Sequence, residues 1–294
     1  MNVITCKEVR KSYRLKKAND EITFAIKENT ITGVIGRNGA GKTTLLKMLA
    51  GYSKPTSGEI TVFGENPFQN TYTAANTIFI DDQMVFPTSF SITNIFHSCQ
   101  LFYPNWDRKL AERLRAYFEL PKRQTQRHLS KGQKSTLHMI VGLAARCPVT
   151  IFDEPTTGMD NSVRKDFYRA LLKDYIAHPR TILLSSHQVE EIEHLLEDIL
   201  LIDQGKVLLH ADIDEVRAYG LSVVGDAVTV KQVTKDCELI YKESIGNNEL
   251  RIIVKNDGTL DESHPAVSIQ QVPAHDIVIY LSKRDKGGID HVFQ

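Results

Sequence analysis

The chain has 294 residues, of which 41% are hydrophobic and 24% charged, and its 36 Lys and Arg balance its 36 Asp and Glu. This composition excludes wholesale disorder and supplies enough apolar residues for a sizeable core in about two domains. The zero net charge argues against a general polyanion binder, so we expect no nucleic-acid partner, although it leaves room for a local phosphate site.

Four cysteines, Cys6, Cys99, Cys147 and Cys237, are far apart in the chain and form no Cys-x-x-Cys pair. This spacing argues against a zinc site or a disulfide framework and favours a reducing compartment. The first residues lack an apolar segment ahead of a small-residue cleavage site, and no apolar run reaches the roughly 18 residues of a membrane span. We therefore expect a cytoplasmic protein.

Short apolar runs alternate with longer helical patterns from the start to about residue 220. The runs are rich in Ile, Val, Leu, Thr and Phe, and they predict strands at 21–26, 31–36, 77–80, 149–152, 181–186 and 198–203. Several runs are apolar throughout, as expected for strands that are covered on both faces of a mostly parallel sheet. This part of the chain is therefore predicted to be α/β.

Residues 91–146 change to apolar residues at three- and four-residue spacing, which predicts helices. The predicted helices are SITNIFHSCQLFY, DRKLAERLRAYFEL and SKGQKSTLHMIVGLAARC, and Asp107 and Ser130 are predicted N-caps. Lys and Arg are frequent from 104 to 134, as on a solvated helical face or in a patch near phosphates or a partner. The region is predicted to be a helical insertion in the α/β core.

The pattern of apolar and polar residues changes again after residue 220. The segments AVTVKQV, CELIYKE, LRIIVK and DIVIYLS are short and alternating, and turn residues separate them, such as Gly246-Asn247-Asn248 and Asn256-Asp257-Gly258. This pattern is typical of short strands joined by turns. We therefore predict a first domain over 1–220 and a small β-rich C-terminal appendage over 221–294.

Residues 36–44, GRNGAGKTT, fit the pattern G-x-x-x-x-G-K-[ST] between a predicted strand and a predicted helix. Glycines let backbone N–H groups surround a phosphate, and the helix N-terminus adds a positive dipole end. Lys42 is expected to bridge the β- and γ-phosphates, and the Thr43 hydroxyl to bind Mg²⁺. The alternative is a glycine-rich turn that contains Lys-Thr by chance. The expected nucleotide-binding residues are Gly36, Asn38, Gly39, Ala40, Gly41, Lys42, Thr43 and Thr44.

Polar residues follow two further predicted strands. Asp153 and Glu154 end the run VTIFDE, and His187 follows TILLSS. Because ligands bind at the carboxyl ends of strands in α/β sheets, Asp153 is placed to hold Mg²⁺ and Glu154 to polarise an attacking water. His187 is placed to hydrogen-bond the γ-phosphate. The alternatives are helix-capping acids and a surface histidine.

The segment Leu129-Ser130-Lys131-Gly132-Gln133 precedes the Asp-Glu strand. Together with the phosphate loop, VTIFDEPTTGMD and SSHQVEE, in this order and spacing, it resembles the ATP-binding-cassette (ABC) ATPase family over roughly residues 1–215. The resemblance implies a P-loop NTPase (RecA-like) core with an antiparallel β subdomain and a helical insertion at about 84–146. It also implies ATP and Mg²⁺ as cofactors and ATP hydrolysis coupled to transmembrane transport.

The same resemblance assigns roles by position. Tyr13 matches the aromatic residue that stacks on adenine, Asp153 the magnesium-side acid, Glu154 the catalytic glutamate and His187 the switch histidine. In the signature segment, Ser130, Gly132 and Gln133 would contact the γ-phosphate of ATP bound to the other subunit of a head-to-tail dimer. Asp160 matches the loop that links the two sites.

Two positions depart from the family pattern. Lys131 stands where the signature usually has its first glycine, which adds charge near a phosphate. The magnesium-sensing glutamine is assigned to Gln83 on its chemistry, although counting back from the downstream segment places Asp82 at that position, and a carboxylate there also suits Mg²⁺ or a water.

We expect the chain to be the ATPase subunit of a transporter, pairing as a homodimer or heterodimer on the cytoplasmic face of the membrane. A separate permease would choose the substrate, and the narrower resemblance is to bacterial exporters. The surface that receives the permease would include Phe86, Phe90, Ile92 and Phe96, each of which could instead be core. The alternatives are a soluble ABC ATPase that acts on ribosomes or DNA, and a regulatory nucleotide-binding module.

Overall fold

The computed structural model describes residues 1–14, 16–246, 248–261 and 264–282. The chain divides into two compact units, Met1–His210 and Ala211–Gln294. The first unit contains, in chain order, β1 (Asn2–Tyr13), β2 (Lys16–Lys27), β3 (Ile31–Ile35), α1 (Lys42–Leu49), β4 (Ser57–Val62), α2 (Thr71–Asn76), β5 (Thr77–Ile80), α3 (Ile92–Phe102), α4 (Arg108–Tyr117), α5 (Lys131–Ala145), β6 (Val149–Asp153), α6 (Asn161–Ala177), β7 (Thr181–Ser186), α7 (Val189–Ile192) and β8 (Asp198–Asp203). The next strand, β9 (Lys206–Asp212), crosses the division between the units.

Six strands of the described chain form a sheet in the order β5-β6-β7-β3-β8-β9. The pairs β5–β6, β6–β7, β7–β3 and β3–β8 are parallel, so the carboxyl ends of these strands lie at one edge. Every residue of β3, β5 and β6 is buried, as the continuous apolar runs predicted. The predicted α/β fold class is confirmed.

A smaller antiparallel sheet has the order β2-β1-β4, with β1 at its centre. Alternate residues of β1, such as Ile4 and Cys6, are fully buried and share a hydrophobic core with Leu45 and Leu49 of α1. This sheet is the antiparallel β subdomain that the sequence resemblance implied. Its packing against α1 supports the helix that follows the phosphate loop.

The helical insertion consists of α3, α4 and α5, which contact one another. Asp107 caps α4 by accepting a hydrogen bond from the Leu110 amide at 2.9 Å, and Ser130 caps α5 by accepting one from the Gln133 amide at 3.2 Å. Both predicted N-caps are therefore confirmed. From Ser135 to Ala145 every residue of α5 is buried, so this helix is the centre of the insertion.

The second unit contains α8 (Ile213–Arg217), β10 (Gly220–Asp226), α9 (Ala227–Val233), β11 (Leu239–Ser244), β12 (Glu249–Lys255), β13 (Val267–Gln271) and α10 (Ala274–Ser282). Within the described residues its strands form an antiparallel sheet in the order β11-β12-β10-β13. The unit begins ten residues before the predicted boundary at 220 because α8 packs against α10 of the same unit. Asn247 of the predicted turn and residues 283–294 of the predicted appendage lie outside the described residues.

Two of the four segments that were predicted as short strands are helices. AVTVKQV is α9 and DIVIYLS lies in α10, whereas CELIYKE and LRIIVK supply β11 and β12. The helix α9 forms because Asp226 accepts hydrogen bonds from the amides of Val228 and Thr229, and α10 starts directly after Pro273. The sequence analysis did not identify β10 or β13.

Candidate functional site

Loops from four parallel strands meet at one edge of the large sheet, because β3, β5, β6 and β7 all end there. The loops after β3, β5 and β6 line a cavity of about 420 Å³. The predicted residues that line it are Asn38, Gly39, Gly41, Lys42, Thr43 and Thr44 from the phosphate loop, with Gln83, Asp153 and Glu154 from the other loops. The structure thus brings together residues that are more than a hundred positions apart in sequence.

The phosphate loop has a backbone that only small residues permit. Gly41 has φ of 110°, and a Cβ atom there would lie 2.4 Å from the carbonyl oxygen of Ala18. Gly36 and Ala40 lie under the loop rather than at the cavity: the Gly36 carbonyl accepts a hydrogen bond from Lys42 Nζ at 2.7 Å, and Ala40 is buried. The loop therefore leads into α1 with Thr43 and Thr44 in the first turn of the helix, at the cavity.

Lys42, Glu154 and His187 form a chain of charged and polar groups. Lys42 is 5% exposed, and its ammonium lies 3.4 Å from Glu154 Oε1. The other carboxylate oxygen, Oε2, lies 3.5 Å from Nδ1 of His187, whose side chain is half exposed. One carboxylate thus lies between the phosphate-loop lysine and the histidine, with access to the cavity.

Ser185 near the end of β7 bonds to the side chain of Asp153 and to the backbone of Glu154, and the sequence analysis did not identify it. Its hydroxyl donates to Asp153 Oδ1 at 2.5 Å and accepts from the Glu154 amide at 2.9 Å. The parallel register places Ser185 directly opposite Asp153. The signal was the pair Ser-Ser at the end of an otherwise apolar strand. Glu154 itself has φ of 48°, a left-handed conformation that turns its side chain out of the strand direction.

Oxygen atoms suited to Mg²⁺ line the same cavity. The hydroxyl of Thr43, the carboxylates of Asp153 and Asp82 and the amide of Gln83 all belong to lining residues. Mg²⁺ is bound in such sites by one or two carboxylates together with substrate phosphates, so this donor set fits the ion. Asp82 and Gln83, the two candidates for the magnesium-sensing position, both line the cavity. They also bond to each other, since Gln83 Nε2 donates to Asp82 Oδ1 at 3.2 Å.

Lys47 and Asp81 also line the cavity, although the sequence analysis passed over them. Their charged groups lie 3.6 Å apart. Burial raises the pKa of Asp81, Lys47 opposes this shift, and the nearby Asp153 reinforces it. Lys47 could have been found from its spacing, because it follows Thr43 by one helical turn and so lies on the same face of α1.

The signature segment lies at the start of α5. Ser130 is exposed, and its amide donates to Gln133 Oε1 at 3.0 Å, which completes a capping box. A Cβ atom on Gly132 would lie 2.7 Å from the carbonyl oxygen of Gly158, so a larger residue would push the helix from the loop before Asp160. The aliphatic part of Lys131 lies against that same glycine.

Like His187 and the signature residues, Tyr13 and Asp160 are not part of the cavity lining. Tyr13 is 52% exposed in β1, with Lys11 Nζ 5.0 Å from its ring centroid. Asp160 is exposed at the start of α6. On that helix Arg164 links two loops: it donates to Gln188 beside His187 at 3.1 Å and to the Met159 carbonyl beside Asp160 at 3.5 Å.

One known protein family and several of its members match part of the chain. The family model described as ABC transporter matches residues 19–157. ABC transporter ATP-binding protein YtrB of Bacillus subtilis (strain 168) is 26% identical over 215 residues, which are 73% of this chain and 74% of that protein. Bacitracin transport ATP-binding protein BcrA of Bacillus licheniformis is 29% identical over 218 residues, 73% and 71% of the two chains. Daunorubicin resistance ATP-binding protein DrrA3 of Streptomyces coeruleorubidus is 29% identical over 224 residues, 73% and 70%.

Solved structures share the fold. An ATP-binding subunit of an ABC transporter superposes with a TM-score of 0.65 at 22% identity, covering 73% of this chain and 92% of that one. The dimeric cassette MJ0796, in a post-hydrolysis state bound to ADP and Pi, has a TM-score of 0.62 at 21% identity, covering 71% and 98%. The topology around the cavity is therefore an arrangement that also occurs in nucleotide-bound proteins.

Proposed function

Because the chain carries an ATP-binding domain of the ABC transporter family, we propose that it hydrolyses ATP to power export through a separate membrane-spanning permease. One observation carries the proposal: Lys42 and Glu154 contact each other in the lining of the phosphate-loop cavity, and His187 contacts the other oxygen of Glu154. A phosphate-binding cation, a carboxylate base and an orienting imidazole are the groups that phosphoryl transfer to water requires.

Each side chain has a separate role in this proposal. Lys42 binds the β- and γ-phosphates and leaves its present contact with Glu154, whose carboxylate then accepts a proton from the attacking water. His187 orients that carboxylate and the γ-phosphate, while Ser185 keeps the backbone at Glu154 fixed. Bound Mg²⁺ would supply positive charge against the phosphate oxygens, and Thr43, Asp153 and Gln83, with Asp82 beside it, would hold it.

The exposed signature segment supports a second proposal, that the working unit is a dimer of ATPase subunits, homomeric or heteromeric. Ser130 at the N-terminus of α5 and Asp160 before α6 are exposed and lie apart from the lining of their own cavity. A helix N-terminus favours anions, so Ser130, Gly132 and Gln133 suit the γ-phosphate of ATP on the other subunit. ATP would then close the dimer and hydrolysis would open it.

The relatives support the direction of transport, since their names include bacitracin transport, daunorubicin resistance and Nod factor export. In the part of the chain that the structure describes, no helix has the length and apolarity of a membrane span. In this proposal the chain lies at the cytoplasmic face of the membrane and docks on a permease through Phe86 and Phe90, which are partly exposed. Ile92 and Phe96 are buried in the insertion and belong to its core instead.

Replacing the proposed base tests the chemistry. We expect Glu154→Gln to lower the rate of phosphate release by at least about 100-fold while the affinity for ATP stays the same, because only proton acceptance is lost. Glu190→Gln, an exposed carboxylate on α7, is the matched control and should hydrolyse ATP at the wild-type rate. Undiminished turnover of the Glu154 variant would remove Glu154 from the role of base.

Purification from membranes tests the transport assignment separately. We expect the chain to leave detergent-solubilised membranes together with a multispanning protein, and its ATPase rate to rise when that protein is present. Recovery of the chain on ribosomes alone would contradict the proposed permease.

A further inference from the structure

Two side chains of the helical insertion bind the backbone of the loop that follows β5. Gln126 Oε1 accepts from the Phe86 amide at 2.9 Å, and its Nε2 donates to the Met84 carbonyl at 2.8 Å. His138 Nδ1 lies 3.1 Å from the Asp81 carbonyl, and its Nε2 lies 2.6 Å from Gln126 Nε2. Loop 81–86 is therefore held at its beginning, middle and end.

The chemistry of these contacts assigns every proton. His138 is 3% exposed, and burial lowers its pKa to about 4, so the ring is neutral near pH 7. Nδ1 faces a carbonyl and must carry the proton, which leaves Nε2 to accept one amide hydrogen from Gln126. The other amide hydrogen of Gln126 goes to Met84, and its oxygen serves Phe86. Each side-chain nitrogen and oxygen of His138 and Gln126 therefore has a hydrogen-bond partner.

The two residues flank the signature segment. Gln126 begins the helical turn that precedes Leu129, and His138 lies eight residues after Ser130 in α5. Leu129 is buried, whereas Ser130 is exposed. The segment that presents Ser130 outward therefore also carries both residues that hold the loop.

On the cavity side, the loop presents Asp82 and Gln83, which both line the cavity. Their side chains bond to each other, and the Gln83 amide donates to Asp81 Oδ1 at 3.1 Å. These bonds lie within the loop, and the contact of 3.6 Å between Lys47 and Asp81 ties one of its side chains to α1. The contacts from Gln126 and His138 come from outside the loop and fix its backbone, hence the position of both side chains.

We propose that Gln126 and His138 are positioning residues for the magnesium side of the site. They hold Asp82 and Gln83 at the cavity, and they join this loop to the segment that presents Ser130, so that the two move as one body. This inference rests on the function proposed above, because it assigns a purpose to residues around the same nucleotide site. Neither residue contacts the reacting atoms.

We call the hydrogen bonds from Gln126 and His138 to loop 81–86 the clamp, and amide hydrogen exchange in the nucleotide-free protein tests it directly. We expect Gln126→Met and His138→Asn to speed exchange at Phe86 roughly 3- to 10-fold, because each removes a hydrogen-bonded partner of the clamp. Gln124→Met is the matched control, since Gln124 has the same side chain two residues away but donates to the His128 carbonyl at 2.7 Å. Exchange at Phe86 equal to that of the control would overturn the proposal.

The magnesium dependence of hydrolysis separates positioning from simple support of the fold. The clamp variants should need roughly 3- to 10-fold more free Mg²⁺ for half-maximal rate, while their affinity for ATP in EDTA stays at the control value. A residue that only stabilises the fold would lower the melting temperature and leave the half-saturating Mg²⁺ unchanged, which would also overturn the proposal.

One further variant guards against misfolding of Gln126→Met, and hydrolysis by the wild type and the control separates the two proposals. Gln126→Glu retains an acceptor for the Phe86 amide but loses both donated bonds, so it should shift the Mg²⁺ dependence in the same direction even if Gln126→Met does not fold. Hydrolysis by the wild type and by Gln124→Met reports on the proposed function itself. No hydrolysis in either would defeat that function, whereas normal hydrolysis with unshifted clamp variants would defeat only the positioning role.

Discussion

The two units differ in what they bury. The first buries charged side chains, including Lys42 and Asp153 at the cavity and the pair Asp174–Arg180 elsewhere. Among the described residues of the second, only Ser222 and Thr234 are buried polar side chains. A buried charge destabilises a fold unless it is paired, so its presence marks either an ion pair or a working site. The comparison places the nucleotide chemistry in the first unit, whereas the described core of the second is almost entirely apolar.

The largest expected effect on stability comes from truncating one core side chain in each unit. Ile4→Ala in β1 and Ile253→Ala in β12 each remove a fully buried side chain and should lower the free energy of unfolding by about 2–5 kcal/mol. We expect calorimetry to resolve two transitions, with Ile4→Ala shifting one and Ile253→Ala the other. A single transition that moves equally with both variants would contradict the division.

Nucleotide binding should affect only the first unit. At about 100 times Kd, ATP is expected to stabilise the transition that Ile4→Ala shifts by about 2.7 kcal/mol and to leave the other in place. Lys42→Ala is the control, because it removes the buried cation that the phosphates need. A shift of the second transition would show that the second unit also responds to nucleotide.

A smaller effect is expected at the cap of α9. Asp226→Ala should cost about 1 kcal/mol in the second transition, because the amides of Val228 and Thr229 lose their acceptor. Asp226→Asn keeps an acceptor and should restore most of that loss. Equal losses in the two variants would mean that the carboxylate charge, rather than the cap, matters.

The smallest effect distinguishes helix from strand in the same segment. Val228 is 72% exposed in α9, and Val228→Ala should stabilise the second unit by a few tenths of a kcal/mol, since alanine is the better helix former. In a strand the same change would destabilise, because β-branched residues are favoured there. Chemical denaturation of the variant and the wild type gives the sign.

The centre of the first unit was predictable for a physical reason. Strands β3, β5 and β6 are buried at every residue and so read as apolar runs, and the insertion helices are long enough for the three- and four-residue period to be clear. The sequence analysis did not identify β1, β4 and β9, which carry exposed residues. In the second unit AVTVKQV and DIVIYLS have seven residues each, a length at which an apolar run fits a helix or a strand equally. The neighbours Asp226 and Pro273 decide for helix, and they lie outside the runs.

The candidate site was predictable where a residue belongs to a motif or ends an apolar run, as Lys42, Glu154 and His187 do. Ser185 was missed because its partner Asp153 is 32 residues away and only the parallel register places them together. Gln126 and His138 were missed for the same reason, since their partner loop precedes them by about 40 to 60 residues.

The sequence by itself determined six strands of the first unit, the helices of its insertion, the phosphate loop and the acids that follow a neighbouring strand. These depend on local apolar period and on residue types that lie next to one another, so they can be read along the chain. Only the tertiary structure decided which loops meet at the cavity, where the second unit begins, and that Gln126 and His138 hold loop 81–86. Those features depend on strand register and on packing between distant segments, which no local pattern specifies.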